Sequence, residues 1–170
     1  MRVALDTNVL AYAEGTNGAR MREKALALVR RLPPESVVLP VQTLGELFNV
    51  LVRKAKRRPV RARAAILTWQ DSYPVVDTSA TVMLGAADLA SGHGLLIWDS
   101  VVLSAAAEAK CRLLLSEDLQ NGFTWRGRNA GAVAVPVFWN QLSEPSRPPV
   151  FSASGHSGLR TRRSSAATTG

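Results

Sequence analysis

The chain has 170 residues, 46% of them hydrophobic and 20% charged, with a net charge of +8. That length suits one domain and is enough to bury a core, so no disulfide or metal staple is needed for folding. The single cysteine, Cys111, excludes an internal disulfide and points to a reducing, cytoplasmic compartment.

In chain order, a short strand is expected over residues 2–5. Asp6 ends it and interrupts the apolar start too early for a signal peptide. Residues 19–32 carry Met21, Ala25, Leu28, Val29 and Leu32 at helical spacing and are stopped by Pro33 and Pro34. A strand is expected at 36–39, then a helix at 41–56 with the apolar stripe Val41, Leu44, Leu47, Phe48, Leu51, Val52 and Ala55. Pro59 suits the first turn of another helix, running to about Asp71. A weak strand follows at 75–77. Thr78 or Ser79 caps a helix that reaches Ser91 and Gly92. Residues 97–109 read as an Ala-rich helix. Residues 112–116 read as a strand whose continuous apolar centre suits a parallel sheet covered on both faces. A last strand is expected at 132–135. The longest membrane-span candidate, residues 130–139, is too short and contains Pro136, so no membrane segment is expected.

This alternation predicts an α/β fold with a central parallel sheet and helices on both faces. The domain is expected over residues 1–142. Residues 143–170 read as a basic, disordered tail: from Pro145 onward there are four arginines, no acid and little apolar mass.

A net positive charge favours polyanion partners, nucleic acid above all. Seven basic residues cluster between Arg53 and Arg63. Arg53 lies seven residues beyond Glu46, two turns along nearly the same helical face. A phosphate backbone guided along that face would reach Glu46; a solubilising connection between helices accounts for the run equally well. Of the tryptophans, Trp98 and Trp139 adjoin apolar runs and read as core. Trp125, between Thr124 and Arg126, is the candidate for exposure and base stacking.

Four acids hold informative positions. Asp6 ends the first strand, Glu46 lies on the 41–56 helix, Asp99 opens the Ala-rich helix and Asp118 follows the apolar strand. Singly, each has a bland reading, as a helix cap, a dipole partner or a solvated face. Together they stand where strands end and helices begin, the edge at which open parallel sheets bind ligands. Crowded carboxylates repel unless a cation is present, and hard divalent ions suit an oxygen-only cluster. Such an ion can activate water and polarise a phosphodiester.

Four segments carry a resemblance: Val3-Ala4-Leu5-Asp6-Thr7-Asn8-Val9-Leu10, Gln42-Thr43-Leu44-Gly45-Glu46-Leu47, Ile97-Trp98-Asp99-Ser100, and Leu114-Leu115-Ser116-Glu117-Asp118-Leu119-Gln120 with Gly122. In this order the chain resembles the PIN-domain ribonucleases, most closely the VapC-type toxins of toxin–antitoxin pairs. The resemblance implies a three-layer α/β/α sandwich around a parallel sheet. It implies a Mg²⁺-dependent endoribonuclease, with Mn²⁺ as substitute, that cleaves RNA and acts as a toxin. Asp6 would be the central metal ligand, with Asp99 and Asp118 completing the site. Glu46 would orient a metal-bound water or ligate a second ion. Thr7, Asn8 and Ser116 would hold carboxylates or the scissile phosphate. The pattern favours Asp118 over its neighbour Glu117. The implied partners are an RNA substrate, a cognate antitoxin protein and a second copy of the chain.

The alternative is a PIN-like module that binds RNA or protein without cutting; the presence of all four acids argues against it. An aspartyl phosphotransferase would want a second Asp two residues after the first, where this chain has Asn8. A dinucleotide enzyme would want a Gly-rich turn after the first strand, and Thr7-Asn8-Val9 has none.

Overall fold

The computed structural model describes residues 1–119, 122–126 and 132–134. The expected tail and Trp139 lie outside the described residues.

Strand β1, Val3–Leu5, is fully buried and runs directly into helix α1, Thr7–Ala13. Helix α2, Gly18–Arg31, leads through a single turn of 3₁₀ helix to strand β2, Val37–Pro40. Helices α3, Val41–Arg53, and α4, Pro59–Ser72, precede the short strand β3, Val75–Val76. Helices α5, Ala80–His93, and α6, Ile97–Glu108, precede strand β4, Leu113–Leu115. Strands β5, Thr124–Arg126, and β6, Ala132–Ala134, complete the described elements.

The sheet order is β3-β2-β1-β4-β6-β5. All neighbours pair in parallel except β5, which runs antiparallel to β6 at the edge. Side chains of a strand alternate between faces, and β1 shows what each face receives. Val3 and Leu5 pack with residues of α1, α2, α3 and α4. Ala4 packs, with Leu114, against Leu89 of α5 and Val102, Leu103 and Ala106 of α6. Helices therefore cover both faces, and the molecule is the expected α/β/α sandwich.

Two elements differ from expectation. Helix α1 was not expected, because Val9, Leu10, Ala11 and Ala13 are all buried and leave no one-sided stripe at helical spacing. Its start is fixed instead by Asp6, whose side chain caps Thr7 N–H. The antiparallel strand β5 was not expected either: three residues are too few to show periodicity.

Arg57, part of the basic run, is used structurally. It pairs with Glu14 at 2.6 Å, and Trp69 Nε1 donates to the same carboxylate at 3.0 Å. This ties the end of α1 to the α3–α4 connection and to α4. Cys111 is a buried free thiol, and burial pushes it up to about 11.

Helix α5 meets α6 at Gly85. A Cβ there would lie 2.5 Å from the Ser104 hydroxyl and 3.3 Å from the Trp125 ring. Ser104 is buried, so room is lacking for any branched side chain. Gly85→Val should lower stability in urea unfolding by about 1–3 kcal/mol through overpacking. Gly85→Ala should stay nearer wild type, because the hydroxyl can rotate and alanine favours the helix.

Candidate active site

Strand order reverses between β1 and β4: one path from β1 runs outward through β2 and β3, the other through β4 and β6. That switch point is the usual ligand crevice of an open parallel sheet. Asp6 follows β1 and Ser116 follows β4, and Asp6 N–H bonds Leu115 carbonyl at 3.0 Å, joining the two strand ends.

Asp6 is only 9% exposed, yet each carboxylate oxygen has a donor. Thr7 N–H donates to Oδ1 at 2.7 Å. The Ser116 hydroxyl donates to Oδ2 at 2.5 Å, and Asn8 Nδ2 lies 3.4 Å from the same oxygen. The Asn8 amide also donates to Asp118 Oδ2 at 3.3 Å, bridging the two carboxylates. Ser116 Oγ in turn accepts from the N–H groups of Asp118 and Leu119 at 3.2 and 3.3 Å, which fixes the loop after β4.

Glu46 reaches the same place from α3. The Thr7 hydroxyl donates to its Oε2 at 2.6 Å, and Gln42 Nε2 donates to Oε1 at 3.1 Å. Gln42 stands four residues before Glu46, a spacing that brings helix side chains together. Asp99, in the first turn of α6, is half-buried and close enough to Glu46 and Asp118 to feel their charges. The four sequence-selected acids thus share one neighbourhood.

Glu117 is not among the residues lining the cleft, and its carboxylate accepts from the Tyr12 hydroxyl. Asp118 lines a cleft of about 560 Å³ with Thr7, Asn8, Tyr12, Glu46 and Lys54. Arg53 is exposed; Lys54 is the residue of that turn lining the cleft. Tyr12 and Lys54 were not picked from the sequence. Tyr12 lies one turn beyond Asn8 on the unexpected helix α1, so its alignment with the site had no visible signal.

The tryptophan expectations are corrected. Trp98 is 53% exposed, because it stands in the first turn of α6 among exposed Leu96 and Ile97 rather than facing the sheet. Trp125 is half-buried and packs with the α5–α6 core, where the side-chain-free surface of Gly85 accepts its ring.

Burial, opposed by the hydrogen bonds from Ser116 and Thr7 and reinforced by Glu46 and Asp118, raises Asp6 from 3.8 to about 6. Asp99 is raised as well, first by burial and then by Glu46 and Asp118. The donors present are all oxygen. Among the described residues no three His, Cys, Asp or Glu side chains converge closely enough to form a ready metal cage. The buried Asn8 Oδ1 adds an oxygen with no protein donor. An oxygen-only set under mutual repulsion suits a hard divalent cation.

Residues 3–121 match the PIN domain family, and the chain belongs to that family. The solved structures it resembles share its fold. One is VapC20 of Mycobacterium tuberculosis, described as a Sarcin-Ricin loop cleaving toxin (19% identity, TM-score 0.56, 66% of this chain and 86% of that one). Another is a toxin–antitoxin complex from Klebsiella pneumoniae (19% identity, TM-score 0.54, 68% and 86%). A third is DNA-bound VapBC from Salmonella typhimurium (16% identity, TM-score 0.53, 79% and 96%). By sequence the chain matches none of the curated proteins. Among the described residues no helix is long and apolar enough to cross a membrane.

Because the folded-state value of Asp6 lies above its unfolded one, its contribution is full below about pH 4 and is lost as pH rises through 6. In EDTA, Asp6→Asn should therefore gain stability over wild type as pH rises from about 4 to 6, with a plateau on the order of 3 kcal/mol. Urea unfolding across pH reads this, and a difference that does not change with pH would contradict it.

Proposed function

We propose that the protein is a Mg²⁺-dependent endoribonuclease, with Mn²⁺ able to substitute, that acts as the toxin of a toxin–antitoxin pair. The observation that carries this reading is the gathering of Asp6, Glu46, Asp99 and Asp118 at the switch point of a PIN fold. The fold likeness to VapC20, described as a Sarcin-Ricin loop cleaving toxin, supports the choice of RNA. Toxin–antitoxin complexes among the similar structures support an antitoxin protein as partner. The catalytic domain is proposed over residues 1–142 and the compartment as the cytoplasm.

Asp6, Asp99 and Asp118 would hold the cation, which when bound activates water and polarises the phosphodiester. The Ser116 hydroxyl holds Asp6, and the Asn8 amide bridges Asp6 and Asp118. Thr7 and Gln42 fix both oxygens of Glu46, which would orient the attacking water. His93 ends α5 away from these hydrogen bonds, which agrees with water activated by a metal rather than by an imidazole.

Asp6→Asn, Asp99→Asn, Asp118→Asn and Glu46→Gln should each keep the fold and lose at least about 100-fold in cleavage, the scale of losing a group that acts in the transition state. Activity should vanish in EDTA and return with Mg²⁺ or Mn²⁺ but not Ca²⁺, whose longer, looser coordination positions groups poorly. Melting curves, RNA binding and gel cleavage assays read all of this. Full cleavage by Asp6→Asn would end the proposal. A folded wild-type protein that binds RNA without cutting under any of these ions would instead be a binding module.

A second copy is also proposed as partner. Helix α4 exposes Val60 at 74% and Leu67 at 38%, seven residues apart on one face. Light scattering at micromolar concentration should give twice the 18.3 kDa chain mass; a monomer mass would contradict this.

A further inference from the structure

The 560 Å³ cleft is larger than an ion and its water need, and falls in the range that holds organic ligands. Its two ends differ in chemistry. Glu46 and Asp118 line one end. Asn49, Val50 and Lys54 extend it along α3, and Asn17 closes it from the start of α2. Glu46, Val50 and Lys54 follow one another at four-residue steps on one helix face. Eight residues of helix place Lys54 about 12 Å from Glu46 along the axis. Lys54 is exposed and has no ion-pair partner among the described residues. Asn17 leaves the N–H groups of α2 uncapped and instead bonds the Tyr12 hydroxyl, within the cleft.

We propose that the Lys54 end is a subsite for the strand flanking the scissile bond, with Lys54 neutralising a phosphate other than the one at the acids. The amides of Asn49 and Asn17 would face the same nucleotide's ribose and phosphate oxygens. This rests on the ribonuclease reading and extends it: the substrate is a continuous single strand running along α3, not an isolated nucleotide held by the acids alone. The chemistry favours a phosphate over an apolar ligand, because an ammonium with no ion-pair partner among the described residues and two amides stand beside Val50 along that stretch. It also accounts for how a polyanion approaches a cluster of carboxylates, since the Lys54 ammonium further along α3 offsets their field.

The test uses the full chain and a fluorescent single-stranded oligoribonucleotide in EDTA, where no cleavage competes with binding. Affinity is read from about 0.05 M to about 0.5 M KCl. Lys54→Gln should lower the salt slope by about 0.7 and weaken binding about fivefold near 0.1 M salt. Lys54→Arg should bind as wild type. Arg112→Gln serves as the charge control, since Arg112 is exposed and precedes β4 at the opposite edge of the sheet. It should change affinity far less than Lys54→Gln. Equal effects of Lys54→Gln and Arg112→Gln overturn the subsite. So does a Lys54→Gln protein that binds and, given Mn²⁺, cuts as wild type; the ribonuclease reading then survives. A wild type that neither binds nor cuts overturns both.

Discussion

A carboxylate kept almost out of water between two strand ends is the constraint around which the site is arranged. Asp6 is buried beside other acids, so its charged form is disfavoured twice, by desolvation and by repulsion. The fold offsets this with donors drawn from three directions. Thr7 N–H comes from the first turn of α1, the Ser116 hydroxyl from the end of β4, and the Asn8 amide from the next residue of α1. The same groups serve elsewhere. The Oδ1 bond starts a helix, and the Ser116 hydroxyl that holds Oδ2 also receives two N–H groups of its own loop. Removing the charge while keeping the shape would therefore leave the architecture standing, and under the proposed function it would remove the charge that holds the cation. The bland reading of Asp6 as a helix cap and the functional one describe two oxygens of one side chain.

Topology explains why acids distant in sequence meet. Residues 6 and 116 are neighbours because β1 pairs with β4 in parallel, with Leu5 opposite Leu115. Parallel pairing puts both carboxyl ends on one edge, and each chain end must then turn there. Glu46 arrives because β2, the other neighbour of β1, runs straight into α3 at the same edge. Asp99 arrives on α6, whose first turn faces that neighbourhood. Each acid is thus placed by a strand or helix whose packing is fixed by apolar contacts on the two faces of the sheet. The acids sit on the polar rim of that core.

Much of this was legible in the sequence, for reasons that differ by element. Helices α2, α3 and α4 carry one-sided stripes or a proline start, and their limits fell within a few residues of expectation. The strand Leu113–Leu115 announced itself by unbroken leucines, which only a doubly covered strand tolerates. Helix α1 carries no such stripe, because the sheet, α2 and α3 enclose it on most sides. With it went the alignment of Tyr12 one turn above Asn8, and so the contact that holds Glu117; the choice of Asp118 over Glu117 came from the resemblance, and Asp118 is the one that lines the cleft. Trp98 was misassigned as core because it adjoins an apolar run, and Trp125 as exposed because its neighbours Thr124 and Arg126 are polar. Which side of a helix start faces the sheet, and where a glycine leaves room for a ring, are properties of packing.

The basic run between Arg53 and Arg63 shows how far composition reaches. Its charge pointed toward a polyanion, but its members have separate fates. Arg57 turns inward to Glu14 and fastens α1 to the start of α4. Arg53 and Arg58 stay exposed, and Lys54 faces the cleft. An acid cluster poses an electrostatic problem for any enzyme that must seize a polyanion, because the groups that hold a cation repel the substrate until it binds. Spreading seven positive charges over the surface would raise encounter rates without directing the strand. Setting Lys54, which has no ion-pair partner among the described residues, two helical turns from Glu46 would add direction, because a strand that met Lys54 along α3 would be led toward the acids at the other end. The spacing of opposite charges on a single rigid helix, rather than net charge, gives the cleft its polarity.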